Sequence, residues 1–452
     1  MDFVANKKKQ VTEMLQAIDI KSIEELWADI PKDLRLTAPS HDDGLSEYEG
    51  LCHMEALAAK NGYIQFDSYL GAGAYEHHVP ALVGAVCSKS EFLTSYTPYQ
   101  PEVSQGVLQT MFEFQSSICA ITGMDVSNAS LYDGASACAE ALLMAMRHYK
   151  ERKKVLIAGS LHPHYRAVLD QYLGNHSIER VTLPILPNGS LDEEAFHKHL
   201  DDDVAAVLFQ YPNFFGVVEA IQEKAHAAHK VGALVVVAAN PLVYGLYATA
   251  AELGADIAVG DVQPFGVSLQ FGGPYCGYIA CHQQFIRQMP GRIVGETVDA
   301  DGRPGFVLTL QAREQHIRRE KATSNICTSQ GLMALASLVA MLWYGKEGIP
   351  KLALTNYQRA SYLKQQLEAI PGIRATSSQP LFNEFVVAFD LPIEQVLEAF
   401  KEEGILAGID LGKFFPDRKG ELLIAVTETK SRAKLDRYVA VAKKVLEGAA
   451  AR

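Results

Sequence analysis

Ala233-Leu-Val-Val-Val-Ala-Ala-Asn240 is an unbroken apolar run that stops at an amide. A strand with one wet face alternates polar and apolar residues; a strand buried on both faces does not. Three further runs read the same way: Val155-Leu-Ile-Ala158, Ala205-Ala-Val-Leu-Phe209 and Asp256-Ile-Ala-Val259. Each adjoins a stretch with helical spacing, and long helices are predicted over 105–121 and 136–149. Buried strands alternating with helices predict an α/β fold, a parallel sheet sandwiched by helices.

Upstream, residues 1–75 read as a helical arm. Residues 8–18 carry apolar side chains at helical spacing. Ser22-Ile-Glu-Glu25 fits a capping box opening a short helix that Pro31 closes. Residues 76–345 read as the large α/β domain. From 346 the pattern changes to helix 356–369, strand 382–389, helix 393–403, strand 422–426 and helix 431–446. That is a small C-terminal α+β domain, 346–452.

The 452 residues are 48% hydrophobic and 21% charged, values of a globular chain. The net charge of -12 disfavours generic binding to nucleic acid or an anionic membrane. No apolar run reaches the roughly 20 residues that span a bilayer. The lysine-bearing N-terminus lacks an apolar h-region, so the expected location is cytoplasmic. Seven cysteines with no CxxC pair predict buried thiols in a reducing compartment, with neither disulfides nor a metal site.

Several segments have the look of a site. Thr94-Ser-Tyr-Thr-Pro-Tyr-Gln-Pro-Glu102 is predicted as an extended loop by its two prolines, and it runs through Gln105 into a helix. Thr94, Tyr96, Tyr99, Glu102 and Gln105 suit recognition of a small polar substrate; a structural loop with packed tyrosines reads alike. Gly134, Ala135 and Ser136 open a helix and could hold a phosphate, as could any ordinary N-cap turn. A basic run spans 311–327: Arg313, Arg318, Arg319 and Lys321 lead into Thr323, Ser324 and Asn325. It is either a solvated face or a surface for a carboxylate, phosphate or acidic partner.

A large parallel domain followed by a small α+β domain resembles fold-type-I pyridoxal-phosphate (PLP) enzymes. In them an aromatic residue after the next strand stacks on the cofactor; His162 stands there. A strand-end aspartate normally holds the pyridine nitrogen protonated. Here that position is Val237 or Ala238. The cofactor lysine should follow near Gly260-Asp-Val-Gln-Pro-Phe265, because only an amine makes the required covalent link. No lysine occurs between Lys230 and Lys321, and Gln263 best matches the lysine's place.

The run Arg313-Glu-Gln-His-Ile-Arg-Arg-Glu-Lys-Ala-Thr-Ser-Asn-Ile-Cys-Thr328 resembles the glycine cleavage P-protein family in its split, two-subunit form. Ser95 to Gly106, the stretch around Tyr132-Asp-Gly134 and the opening Glu25-Leu-Trp-Ala-Asp-Ile-Pro31 resemble it too. The resemblance covers essentially the whole chain and points to the first subunit. It implies glycine decarboxylation on PLP, with the aminomethyl group passed to the lipoyl arm of the H-protein. It implies that PLP is bound covalently by the homologous second subunit, in a heterotetramer with two copies of each. Tyr96, Tyr99, Glu102 and the 318–325 loop would face the partner's cofactor. Gly134, Ala135, Ser136, His162, Val237 and Gln263 would be a decayed pocket. A silent scaffold of the same fold is the alternative.

Overall fold

A computed structural model describes residues 6–36 and 44–450, leaving out the side chains of 449–450. The chain divides into two compact units, 1–64 and 65–452. The first holds helices α1 (Lys8–Ala17) and α2 (Glu47–Ala58), and none of their residues is buried. Ser46 and Glu49 form the capping box of α2. The predicted box at Ser22 is not made: Ile23–Trp27 is a 3-10 turn, and Glu25 instead accepts the Lys21 amide.

The second unit is built on a seven-stranded sheet. Its strands are β1 (Val126–Ser127), β2 (Lys154–Ala158), β3 (Glu179–Leu183), β4 (Val204–Tyr211), β5 (Leu234–Ala239), β6 (Ile257–Asp261) and β7 (Gly277–Cys281). Their spatial order is 1-7-6-5-4-2-3. Strands β2 to β6 run parallel, while β7 is antiparallel to both β6 and β1.

The opening run explains itself in β5, where all six residues are buried. Val235, Val237 and Ala239 enter one core layer with Phe114 and Phe265. Leu234, Val236 and Ala238 enter the opposite layer with Leu142 and Leu156's neighbours Val155 and Ile157. Successive side chains point to opposite faces, so a strand covered on both sides must be apolar throughout.

Helices α3 (Gln105–Thr122), α4 (Gly134–His148) and α5 (Pro163–Leu173) cover this sheet. The predicted helix over 356–369 is the end of a much longer one, α6 (Gly331–Glu368), interrupted at Gly345 (φ 61°, ψ -171°). By length and composition α6 is apolar enough to cross a membrane. Part of its apolar surface serves the core: Ala334, Leu338, Ala340 and Met341 are buried, and it packs on α3, while Leu342 and Trp343 are exposed.

Residues 293–298 and 304–309 pair as a hairpin, β8 (Ile293–Val298) with β9 (Pro304–Thr309). A four-stranded antiparallel sheet follows, made of β10 (Ile373–Ala375), β11 (Glu384–Phe389), β12 (Ile409–Asp410) and β13 (Glu421–Ala425), in the order 10-11-13-12. The last helix is α7 (Arg432–Ala450). Residues 65–75 pack within this second unit: Asp67–Ser68 pairs with Ile405–Leu406, and buried Tyr69 meets Tyr438 at 4.5 Å between ring centroids. Of the cysteines expected to be buried, Cys138, Cys276 and Cys281 are; Cys87 and Cys119 are half-buried, and Cys52 and Cys327 are exposed.

Gly216 (φ 78°) turns the chain after β4, and a Cβ there would lie 2.2 Å from the Glu384 carbonyl oxygen. Backbone on both sides leaves no flexible group to give way. Gly216→Ala should destabilise the chain by about 2 kcal/mol or more, read by urea unfolding. An unchanged midpoint would show that β11 does not approach this closely.

Candidate functional site

Parallel sheets of this kind bind ligands beyond the C-terminal ends of their strands. A cavity of about 40 Å3 lies there, at the ends of β4, β5 and β6, lined among others by His162, Tyr165, Asn240, Asp261, Asn383 and Glu384. Of the residues picked from the sequence as a decayed pocket, His162 lines it directly. Val237 does not, because it lies further back along β5, in the core layer with Phe114 and Phe265; Ala238, Ala239 and Asn240, at the strand end, form that wall.

Gln263 is spent on structure. Its amide accepts the Tyr75 N–H (3.0 Å) and donates to the Tyr75 and Val267 carbonyls (both 2.9 Å). Tyr75 in turn donates its hydroxyl to Glu384 (2.6 Å), whose other oxygen accepts the Ala72 amide (2.6 Å). Burial pushes the Glu384 carboxyl up to about 7, opposed by these two bonds. Asp261 is likewise pushed up to about 7 by burial, against backbone N–H bonds from Gln263, Cys276 and Gly134.

His162 caps α5. Its Nδ1 accepts the His164 amide (3.0 Å), and its Nε2 lies 2.7 Å from the Ala72 carbonyl, which only an N–H can satisfy. The ring is therefore neutral, and burial pushes it down to about 4.

PLP brings a phosphate, a flat ring and an aldehyde that needs an amine, and these residues do not fit it. The α4 N-terminus, where a phosphate would sit, is taken by carboxylates: Asp133 accepts the Ser136 amide (2.7 Å) and Asp261 the Gly134 amide (3.2 Å). Ala135 and Ser136 are buried behind them. The face of His162 is covered by Tyr165, stacked at 5.0 Å and 26°. A Cβ on Gly134 would meet the Tyr165 hydroxyl at 2.3 Å, so that ring fills the space beside the helix end. Gln263, whose amide is engaged on both sides, offers no amine.

The other sequence-picked residues lie elsewhere in the unit. The loop prediction holds for 94–100, but Pro101–Val103, with Glu102 exposed in it, forms a 3-10 turn, since proline is well placed in a first turn. Thr94 bonds back to the Ser90 carbonyl (2.7 Å). Tyr96 is 87% exposed and borders a shallow pocket with Thr97, Val107, Thr328 and Ser329. Gln105 is a clamp on the hairpin, bonding both the N–H and the carbonyl of Phe306 at 2.9 Å.

Arg318, Arg319 and Lys321 are exposed, with Arg319 at φ 54°. Thr323, Ser324 and Asn325 border a different, cation-rich cleft of about 790 Å3 with Glu140, Arg147 and Lys150. Buried Glu140 faces Arg147 at 3.8 Å; burial raises its carboxyl and Arg147 opposes that.

One residue absent from the sequence reading joins these loops. Arg292, 3% exposed, donates to the Thr328 hydroxyl (2.9 Å), the Cys327 carbonyl (2.9 Å) and the Tyr99 hydroxyl (3.2 Å). It thereby ties the 94–106 loop to the 311–328 loop. A lone arginine between a glycine and an apolar strand carried no signal. Glu384 did carry one: a carboxyl inside the apolar run 382–389 demands a buried partner.

The strand order, the antiparallel β7, the C-terminal antiparallel sheet and a cavity at the strand ends define a class, the fold-type-I PLP-dependent enzymes. Sphingosine-1-phosphate lyase of Burkholderia pseudomallei shares the fold at TM-score 0.68 and 14% identity, over 93% of this chain and 94% of that one. The chain belongs to the glycine cleavage system P-protein family, whose sequence model matches residues 1–442.

A probable glycine dehydrogenase (decarboxylating) subunit 1 of Protochlamydia amoebophila (strain UWE25) is 60% identical over 445 residues, covering 98% of this chain and all of that protein. One from Geobacillus kaustophilus (strain HTA426) is 49% identical over 429 residues, 94% and 95% of the two chains. A crystal structure of glycine decarboxylase (P-protein) of the glycine cleavage system, in inhibitor-bound form, superposes at TM-score 0.90 with 40% identity. It covers 98% of this chain and 100% of that one. Within the family the chain is of the subunit 1 type.

Two outcomes follow from this geometry. Arg292→Ala should cost about 3 kcal/mol and expose 94–100 to limited proteolysis; intact loops would refute the tie. A carboxyl with a raised folded pKa adds stability that is full below its unfolded pKa and fades as pH rises through the folded one. Glu384 and Asp261 should therefore weaken the fold between about pH 4 and about pH 7. Urea unfolding of Glu384→Gln across that window should show a shallower fall than the parent; an identical slope would exclude Glu384.

Proposed function

We propose that this chain is the non-PLP subunit of a two-part glycine decarboxylase. The observation that carries the reading is the missing amine: Gln263 stands at the lysine position, fully engaged with Tyr75 and Val267. The homologous second subunit then holds PLP covalently and supplies the electron sink for decarboxylating glycine. The aminomethyl group leaves on the lipoyl arm of the H-protein.

This chain's own residues would bind, orient and exclude water at the shared site. Tyr96, Tyr99 and Glu102 on one loop, and Arg318, Arg319 and Lys321 on the other, are the candidates, held in one frame by Arg292. Exposed apolar side chains on this unit, including Leu93, Phe271, Leu342 and Trp343, supply area for a permanent partner. The expected assembly is two copies of each subunit, in the cytoplasm.

A silent scaffold is the second reading, favoured by Tyr165 and the carboxylates that occupy the old pocket. One experiment separates the two. The chain is co-purified with the second subunit and assayed for glycine–bicarbonate exchange. Neither subunit alone should exchange, and the complex should.

Tyr96→Ala in an assembled complex should lower kcat/KM for glycine about tenfold or more; full turnover would favour the scaffold. Exchange by this chain alone, or a borohydride-reducible PLP chromophore on it, would overturn the main reading. If the basic loop steers the acidic or lipoyl-bearing partner, kcat/KM should fall steeply with salt, and an Arg318→Ala/Arg319→Ala double variant should lose that slope.

A further inference from the structure

The 40 Å3 cavity is too small for PLP, yet it is not chemically idle. Asn383, 2% exposed, borders it with a side-chain N–H group that has no partner. Asn240, from the end of β5, presents a second buried, unpartnered amide nitrogen. Its oxygen is already used, accepting the Leu242 amide at 3.1 Å. Two carboxyls, Asp261 and Glu384, line the same space. Each leaves acceptor capacity unused, since carboxylate oxygens take two bonds apiece.

Free donors and free acceptors around one small space restrict the occupant. A simple anion would satisfy the asparagines and oppose the carboxyls. A simple cation would do the reverse and leave two buried amides unmet, each costing about 1–3 kcal/mol. A molecule with both charges satisfies all four. Water needs about 10–15 Å3 of such volume, so the cavity has room for about three waters or a handful of heavy atoms.

We propose that this relic of a cofactor pocket binds a small zwitterionic α-amino acid, of glycine's size, with its carboxylate on Asn240 and Asn383 and its ammonium on Asp261 and Glu384. Asn383 and Glu384 enter from the C-terminal sheet, Asn240 and Asp261 from the large one. The ligand therefore links the two sheets and stabilises the folded chain. The inference rests on the cavity alone and stands or falls apart from the two-subunit reading.

The test uses the purified full chain, without a second subunit, titrated with glycine by calorimetry and thermal melting. Glycine should bind saturably and raise Tm; methylamine and acetate, each carrying half the pattern, should bind more weakly; leucine, too large, should not bind. Asn383→Leu removes one donor and should weaken glycine about tenfold or more. Asn240→Asp keeps the oxygen for Leu242 and replaces the donor with an acceptor, so it should do the same in case Asn383→Leu does not fold. Crystals grown with glycine should show it on both asparagines. No saturable glycine binding, an equal shift in parent and variants, or ordered water alone in the cavity would each overturn the proposal.

Discussion

The Glu384 carboxylate accepts the Tyr75 hydroxyl and the Ala72 amide, and Tyr75 is gripped through its backbone by Gln263. Three distant stretches meet in that contact: the 71–75 segment, the loop after β6 and the first residue of β11. Burying a carboxyl with few partners is costly, so the bonds that hold it must be kept. Gly71 and Gly216 serve this packing, since a Cβ on either would strike Glu384 itself, at its side chain or its backbone. The arrangement engages both ends of the Gln263 side-chain amide.

The same economy governs the neighbouring helix. A helix N-terminus attracts negative charge. In α4 that demand is met from within the chain by Asp133 and Asp261, and Tyr165 covers the ring of His162. Fold and cavity persist while the α4 N-terminus and the face of His162 are taken by groups of the protein itself. Arg292 holds the 94–106 and 311–328 loops together. A single buried guanidinium with three acceptors is a stiff joint, because its planar fork fixes both direction and distance.

Where sequence reading succeeded, one physical rule sufficed. The buried strands, α3, α4 and the C-terminal helices all follow from side-chain periodicity. Where it fell short, the answer depended on contacts between distant residues. Val237 was grouped with the pocket, but it sits in the core short of the strand end, and Ala238, Ala239 and Asn240 reach the cavity. Gln105 read as a substrate group and is a clamp on the hairpin. Ser22 had the pattern of a capping box, yet the local turn is 3-10 and Glu25 satisfies a different amide.

Sequence by itself determined the α/β architecture and the lysine-free stretch between Lys230 and Lys321, since apolar periodicity and a missing residue type are local facts that folding does not alter. The tertiary structure alone decided that Tyr165 and two carboxylates occupy the space around the α4 N-terminus, that Arg292 joins the 94–106 and 311–328 loops, and that Asn240, Asn383, Asp261 and Glu384 line one cavity. Those facts are meetings of residues far apart in the chain. Strand order and register bring them together, and neither is written in any one stretch of sequence.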